Sequence, residues 1–168
     1  REIASAQSRY ALMANNKLSQ AKKGKKDEFY TQLADIEAEL KHYRGHFVGK
    51  TVLCNCDDPR MSNFFFYFVL NFHHLGLKKL ITTCYKNQNP NSCSKNTSKQ
   101  AVYLVYEGED IGSPPNPNIA GLVHPLQGDG DFRSPECIKF LEEADIIVTN
   151  PPFSLFREYV AQLIEYEK

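Results

Sequence analysis

The sequence predicts an α/β domain, with a mostly parallel β-sheet covered by helices on both faces. Three observations lead there. Short apolar, β-branched runs recur at 50–56, 79–85, 102–106 and 145–149, and several are unbroken rather than alternating, as strands buried on both faces are. Between them lie stretches with apolar residues spaced at three and four, the strand-helix alternation of a layered α/β fold. Gly, Pro and Asn gather between these units as turn chemistry.

Taken in order, residues 2–18 carry Ile3, Ala6, Tyr10 and Met13 at helical spacing, and the basic link Lys22-Lys23-Gly24-Lys25-Lys26 ends that helix. Over 31–43, Leu33, Ile36, Leu40 and Tyr43 form an apolar face opposite Asp35, Glu37 and Glu39, which predicts an amphipathic helix. Gly49 releases the chain into the first strand. Asp58 before Pro59 reads as an N-cap followed by a first-turn proline, so a helix is expected over 59–75, ended by Gly76. Its many phenylalanines (Phe64, Phe65, Phe66, Phe68, Phe72) read as packing. The second strand is followed by a polar, Asn-rich loop over 87–100. After the third strand come a Pro-rich loop at 112–118, a strand near 121–123, an acidic loop at 128–132 and a helix over 134–143. The strand at 145–149 then feeds Asn150-Pro151-Pro152-Phe153 and a last helix from Ser154.

A chain of 168 residues forms one core without needing disulfides or a structural metal. Lys+Arg and Asp+Glu each number 20, so any nucleic-acid contact must come from a local patch or from sequence beyond this stretch. The longest apolar run, 64–70, is seven residues, against the roughly 20 that a membrane helix needs. Five cysteines, an odd number without an apolar leader, predict free thiols in a reducing, cytoplasmic compartment. Cys54-Asn55-Cys56 lies in a strand and lacks the spacing of a zinc knuckle, so no metal site is expected. The absent initiator Met and the helical character of the last residues suggest a piece of a longer protein.

Ligands of such sheets bind beyond the carboxyl ends of the strands, which singles out the loops at 55–58, 128–132 and 150–153. The last is the most specific. Ser113-Pro114-Pro115-Asn116 is also a proline pair, but it has neither a strand before it nor an aromatic after it. In 150–153, the Asn150 side-chain oxygen and the Pro151 carbonyl are acceptors on a backbone stiffened by two prolines, and Phe153 offers a ring face. That set suits an exocyclic amine on a planar base. The alternative is a strand-to-helix turn that merely tolerates proline.

Asn-Pro-Pro-Phe after a strand of this kind resembles the catalytic motif of amino-group DNA methyltransferases that use S-adenosylmethionine, in the form typical of N6-adenine enzymes. Phe29-Tyr30-Thr31-Gln32 resembles the N-terminal cofactor motif of the EcoRI-type adenine methyltransferases, and Asn55-Cys56-Asp57-Asp58-Pro59 resembles their first-strand turn. The likeness runs in order from about Lys26 to Ile164. It implies a Rossmann-like class I methyltransferase fold, truncated here. Residues 1–25 would be an N-terminal helix and basic link, and 26–168 the catalytic domain without its target-recognition part. It further implies methyl transfer to adenine N6 in double-stranded DNA, on a base flipped out of the helix and without metal, in a prokaryotic or phage restriction-modification setting.

By the same resemblance, Asn150, Pro151, Pro152 and Phe153 hold the target base. Asp131 accepts from the cofactor's adenine amine while Phe132 packs on its ring, although a solvated acidic turn is as plausible for Asp131. Asn55, Asp57 and Asp58 belong to the cofactor-binding turn, where Asp57 is the better candidate to face the methionine ammonium because capping alone explains Asp58, and Tyr30 and Thr31 close over the cofactor, Tyr30 being equally a core residue. The chain departs from the common glycine-rich turn after the first strand. It also lacks an acid at the end of the second strand, which leaves Tyr85 and Glu107 as ribose candidates. The rival reading is a non-catalytic nucleic-acid-binding or regulatory module that keeps the fold. A nucleotide-binding oxidoreductase is disfavoured because no Gly-x-Gly-x-x-Gly follows a strand.

Overall fold

The computed structural model describes residues 32–56, 58–86, 100–112, 119–151 and 153–168. The expected first helix and basic link, Tyr30, Thr31, Asp57, Pro152, the Phe153 side chain and most of the two long loops lie outside the described residues.

Five strands form one sheet in the order β4-β3-β2-β1-β5. They are β1 (Thr51–Asn55), β2 (Lys79–Cys84), β3 (Val102–Tyr106), β4 (Val123–Pro125) and β5 (Ile146–Ile147). β1 lies between β2 and the edge strand β5 and is parallel to both, pairing Leu53 with Ile81 on one side and with Ile147 on the other. β2–β3 and β3–β4 are antiparallel. The expectation of a mostly parallel sheet is therefore corrected to a mixed one. Its reason is the connection after β2: a parallel return needs a crossover, usually helical, and the polar stretch beyond residue 86 offers no apolar helical face to pack. β3 alternates between buried and half-buried residues, whereas β1 is buried throughout.

Among the described residues, four helices cover the two faces. Helices α1 (Leu33–Leu40) and α2 (Asn63–Leu75) pack on one face with Val52, Cys54, Leu80 and Leu104. Helices α3 (Pro135–Glu143) and α4 (Phe156–Glu165) pack on the other with Leu53, Ile81, Val105 and Ile147. Neighbouring strand residues thus feed opposite cores, as a period of two requires. The phenylalanines of α2 are packing: Phe65, Phe68 and Phe72 are buried, and Phe64 and Phe66 lie against the same cluster. Each fully buried ring is worth roughly 1.5–3 kcal/mol of transfer free energy.

Local expectations hold in part. Ser134 caps α3 by accepting the Cys137 N–H at 3.3 Å, and a left-handed Gly76 lets the Leu77 N–H reach the Phe72 carbonyl at 3.1 Å to close α2. Asp58, however, is not the cap of α2. Its carbonyl accepts the Met61 and Ser62 N–H groups at 2.9 and 2.8 Å in an isolated turn, and the helix begins later, with Ser62 Oγ accepting the Phe65 N–H at 3.1 Å. α1 also ends early, tightening into a 3₁₀ turn over Lys41–His46. The faster rotation of that turn carries Tyr43 off the apolar face, to 46% exposed. The strand expected near 121–123 is displaced: Ala120–Leu122 is a 3₁₀ turn and β4 follows it. Cys54, Cys56, Cys84 and Cys137 are thiols, not disulfides. No helix among the described residues is long and apolar enough to cross a membrane.

Candidate active site

β1, β2 and β5 run the same way, so their carboxyl ends share one edge of the sheet. Asn55, the last residue of β1, is 4% exposed. Its carbonyl accepts the Thr149 hydroxyl, and its side-chain Oδ1 accepts the Tyr159 hydroxyl at 2.5 Å. The backbone of β5 extends the pairing on both sides of Ile146–Ile147, with Asp145 N–H to the Thr51 carbonyl and Val148 N–H to the Leu53 carbonyl, each 2.9 Å. Thr149 is thereby fixed beside the end of β1, and the exposed Asn150 and half-buried Pro151 follow at once. Beyond Asn55 the chain leaves the sheet through Cys56 at φ 67°, a left-handed backbone that only a well-determined surrounding sustains.

Asp58 closes this turn. Its carboxylate, on a residue 8% exposed, accepts the Arg60 N–H at 3.0 Å, Nε at 2.8 Å and Nη2 at 2.7 Å. These bonds to the carboxylate raise the Arg60 guanidinium above its ordinary pKa.

The acidic loop docks on the end of β2. The Lys86 N–H donates to the Asp129 carbonyl at 2.7 Å, and Gly130, at φ 80°, lies so close that a Cβ there would sit 2.8 Å from the Cys84 carbonyl oxygen. Asp129 Oδ1 accepts the Asp131 N–H at 3.0 Å, and the Asp131 carboxylate accepts three N–H groups of Arg133. Hydrogen bonding to that guanidinium holds the Asp131 carboxyl below the usual carboxylate range. Phe132 is buried edge-to-face against Tyr159, with centroids 5.2 Å apart, and its carbonyl accepts Gln162 Nε2 at 3.2 Å.

The structure therefore brings Asn55, Asp58, Tyr85, Asp131, Phe132, Asn150 and Pro151 to one edge. Glu107 is not among them. Because β3 is antiparallel, its carboxyl end falls at the opposite edge, where Glu107 meets Lys79 at 3.2 Å. Sequence reasoning missed Tyr159 and Gln162, which tie α4 to both the β1 exit and the acidic loop, and it missed Arg60 and Arg133. The arginines had a signal: Asp-x-Arg occurs at both turns, in Asp58-Pro59-Arg60 and in Asp131-Phe132-Arg133. Among the described residues, no three His, Cys, Asp or Glu side chains gather as metal ligands would.

Comparison with known proteins adds identity to this geometry. The family described as "Adenine-specific methyltransferase EcoRI" matches residues 17–168. The chain is similar to the type II methyltransferase M.EcoRI of Escherichia coli, 54% identical over 94% of this chain and 48% of the relative. It is also similar to the type II methyltransferase M.MpnI of Mycoplasma pneumoniae, 43% identical over 89% of this chain and 41% of the relative. A third similar protein is M.MgeORF184P of Mycoplasma genitalium, 39% identical over 89% of this chain and 41% of the relative. No solved structure matches. The chain spans less than half the length of these relatives, and it belongs to the EcoRI-type adenine-specific methyltransferase family.

Proposed function

We propose that this chain is the part of a DNA methyltransferase that binds S-adenosylmethionine and presents its methyl group to the N6 amine of an adenine flipped out of double-stranded DNA. The observation that carries this is the tie between Thr149 and Asn55, which sets Asn150 and Pro151 at the carboxyl end of β5 beside the exit of β1. The family supplies the chemistry, being one of adenine-specific methyltransferases.

The residues at this edge suit such a cofactor. Carboxylates at two turns match a ligand bearing an ammonium and an exocyclic amine, and the buried Gln162 Oε1 has no hydrogen-bond partner among the described residues. Asp131 would accept from the cofactor's adenine amine, with Phe132 bordering the base. Asn55, Asp57 and Asp58 would line the methionine end, and Tyr30 and Thr31 would close over it. When bound, S-adenosylmethionine supplies an electrophilic methyl group.

The chain's own task is to make a poor nucleophile attack. An exocyclic adenine amine delocalises its lone pair into the ring. Asn150 Oδ1 and the Pro151 carbonyl would accept its two N–H bonds and favour a more tetrahedral nitrogen, while Pro152 stiffens the turn and Phe153 stacks on the base. The fold is read as a class I methyltransferase core in which β3 runs against the other four described strands.

The test is tritium transfer from labelled S-adenosylmethionine to DNA by the longer protein. Asn150→Ala is expected to lower the rate by about 100-fold or more, the scale of losing one preorganised polar contact to reacting atoms. Transfer at the wild-type rate would sink the proposal. DNA retention by the wild-type protein with no transfer at all would favour the binding-module alternative.

A further inference from the structure

The Asp131 carboxylate is gripped by a single residue. The Arg133 N–H and Nε donate to Oδ1 at 2.8 and 2.9 Å, and Nη2 donates to Oδ2 at 2.6 Å. Oδ1 has then used both lone pairs, and Oδ2 keeps one. The arginine is fixed in turn, its Cζ lying 5.1 Å from the centroid of the Phe132 ring. The same fork recurs at the β1 exit, where Arg60 donates its N–H and Nε to Asp58 Oδ1 and Nη2 to Oδ2.

The turn does not need the fork. An Asx turn closes on the backbone N–H alone, and an ion pair whose arginine side chain is 53% exposed adds little to stability. What the fork does is restrict the carboxylate. It selects one rotamer and leaves one defined oxygen able to accept.

We infer that Arg133 is a positioning residue that aims Asp131 Oδ2 at an exocyclic amine, so that this loop selects a cofactor base carrying an amine over one carrying a carbonyl. This rests on the cofactor reading proposed above. The nearby guanidinium also keeps Asp131 ionised, hence acceptor-only. An adenine amine can donate to that lone pair. A hypoxanthine carbonyl oxygen cannot, and it would meet the lone pair head-on.

The experiment is calorimetric titration of S-adenosylhomocysteine and of S-inosylhomocysteine into this chain and its Arg133→Ala, Arg133→Lys and Asp131→Ala variants. Circular dichroism melts would check that each is folded. The wild type should prefer the adenosyl ligand by about tenfold or more, the scale of a hydrogen bond to a charged group. Arg133→Ala and Arg133→Lys should both shrink that preference to within about threefold, because lysine keeps the charge and loses the fork. If Asp131→Ala abolishes the preference while Arg133→Ala leaves it intact, Arg133 does not position the carboxylate and only this inference fails. Full rescue by lysine would overturn it in the same way, leaving charge without orientation. A preference that survives Asp131→Ala, or a folded wild type that binds neither ligand, overturns the cofactor reading and this inference with it.

Discussion

The two edges of the sheet carry similar polar side chains and use them differently. At the amino-end edge, Lys50 meets Asp145 at 3.5 Å, and Lys79 meets Glu107 at 3.2 Å and Glu143 at 2.7 Å. These pairs join residues far apart in sequence, and their carboxylates are more than one-third exposed. Such bridges fasten neighbouring elements weakly. At the carboxyl-end edge, Asn55, Asp58, Tyr159 and Gln162 are buried, and the carboxylates bind arginines two residues on. The backbone is special there too, with Cys56 and Gly130 at positive φ. A cleft of about 320 Å³, bordered by Phe66, Val69, Leu70, Tyr106, Glu109 and Asp110, lies near the end of β3, away from that edge. What sets the carboxyl-end edge apart is buried polar groups with several bonds, beside a non-glycine residue, Cys56, at a left-handed φ.

The largest expected effect breaks the carboxyl-end edge. Gly130→Ala forces a side chain onto φ 80°, with its Cβ 2.8 Å from the Cys84 carbonyl oxygen and 2.9 Å from the Ala101 Cβ. The cost should be about 2–5 kcal/mol in a denaturant titration. Gly45→Ala, which meets nothing within 4 Å, is the control and should stay within about 1 kcal/mol of wild type. Next comes Tyr159→Phe, which keeps the ring against Phe132 and strips Asn55 Oδ1 of the Tyr159 hydroxyl. A loss of about 1–3 kcal/mol is expected from that buried acceptor, and a loss within error would show that the network is incidental.

Smaller effects belong to the amino-end edge. Lys79→Met removes two partly exposed pairs and should cost under about 1 kcal/mol; a loss as large as that of Tyr159→Phe would erase the contrast between the edges. The smallest is a pH effect. The Thr51 N–H, at 2.8 Å, and the nearby Lys50 hold the Asp145 carboxyl below its ordinary value. Its stabilisation is full above the unfolded carboxylate pKa and is lost as pH falls through the lower folded value. Asp145→Asn should therefore lower Tm slightly at pH 7 and converge on the wild type at acid pH, flattening the acid limb of the Tm–pH curve.

Much of the fold was legible because burial writes itself into sequence. The unbroken runs of β1 and β2, the Ser134 cap of α3 and the Gly76 stop of α2 each have a local cause. Strand direction does not: the apolar pattern of β3 is the same whichever way it runs, so the separation of the two ribose candidates, Tyr85 at one edge and Glu107 at the other, is not legible. Asp58-Pro59 showed the signature of a helix start, but Arg60 takes the carboxylate and Ser62 does the capping. Within the site, the loops at strand ends could be found from topology alone. Tyr159 and Gln162 could not, since on an amphipathic helix they look like any residue of its inner face.

Hydrogen exchange of this chain with and without S-adenosylhomocysteine tests the assignment of the ligand edge most directly. Slower exchange is expected over residues 54–61 and 127–134, where the β1 exit and the acidic loop meet the carboxyl ends of the strands, with residues 105–112 beside the cleft near β3 unchanged. Protection confined to 105–112, or no protection at saturating ligand, would contradict it.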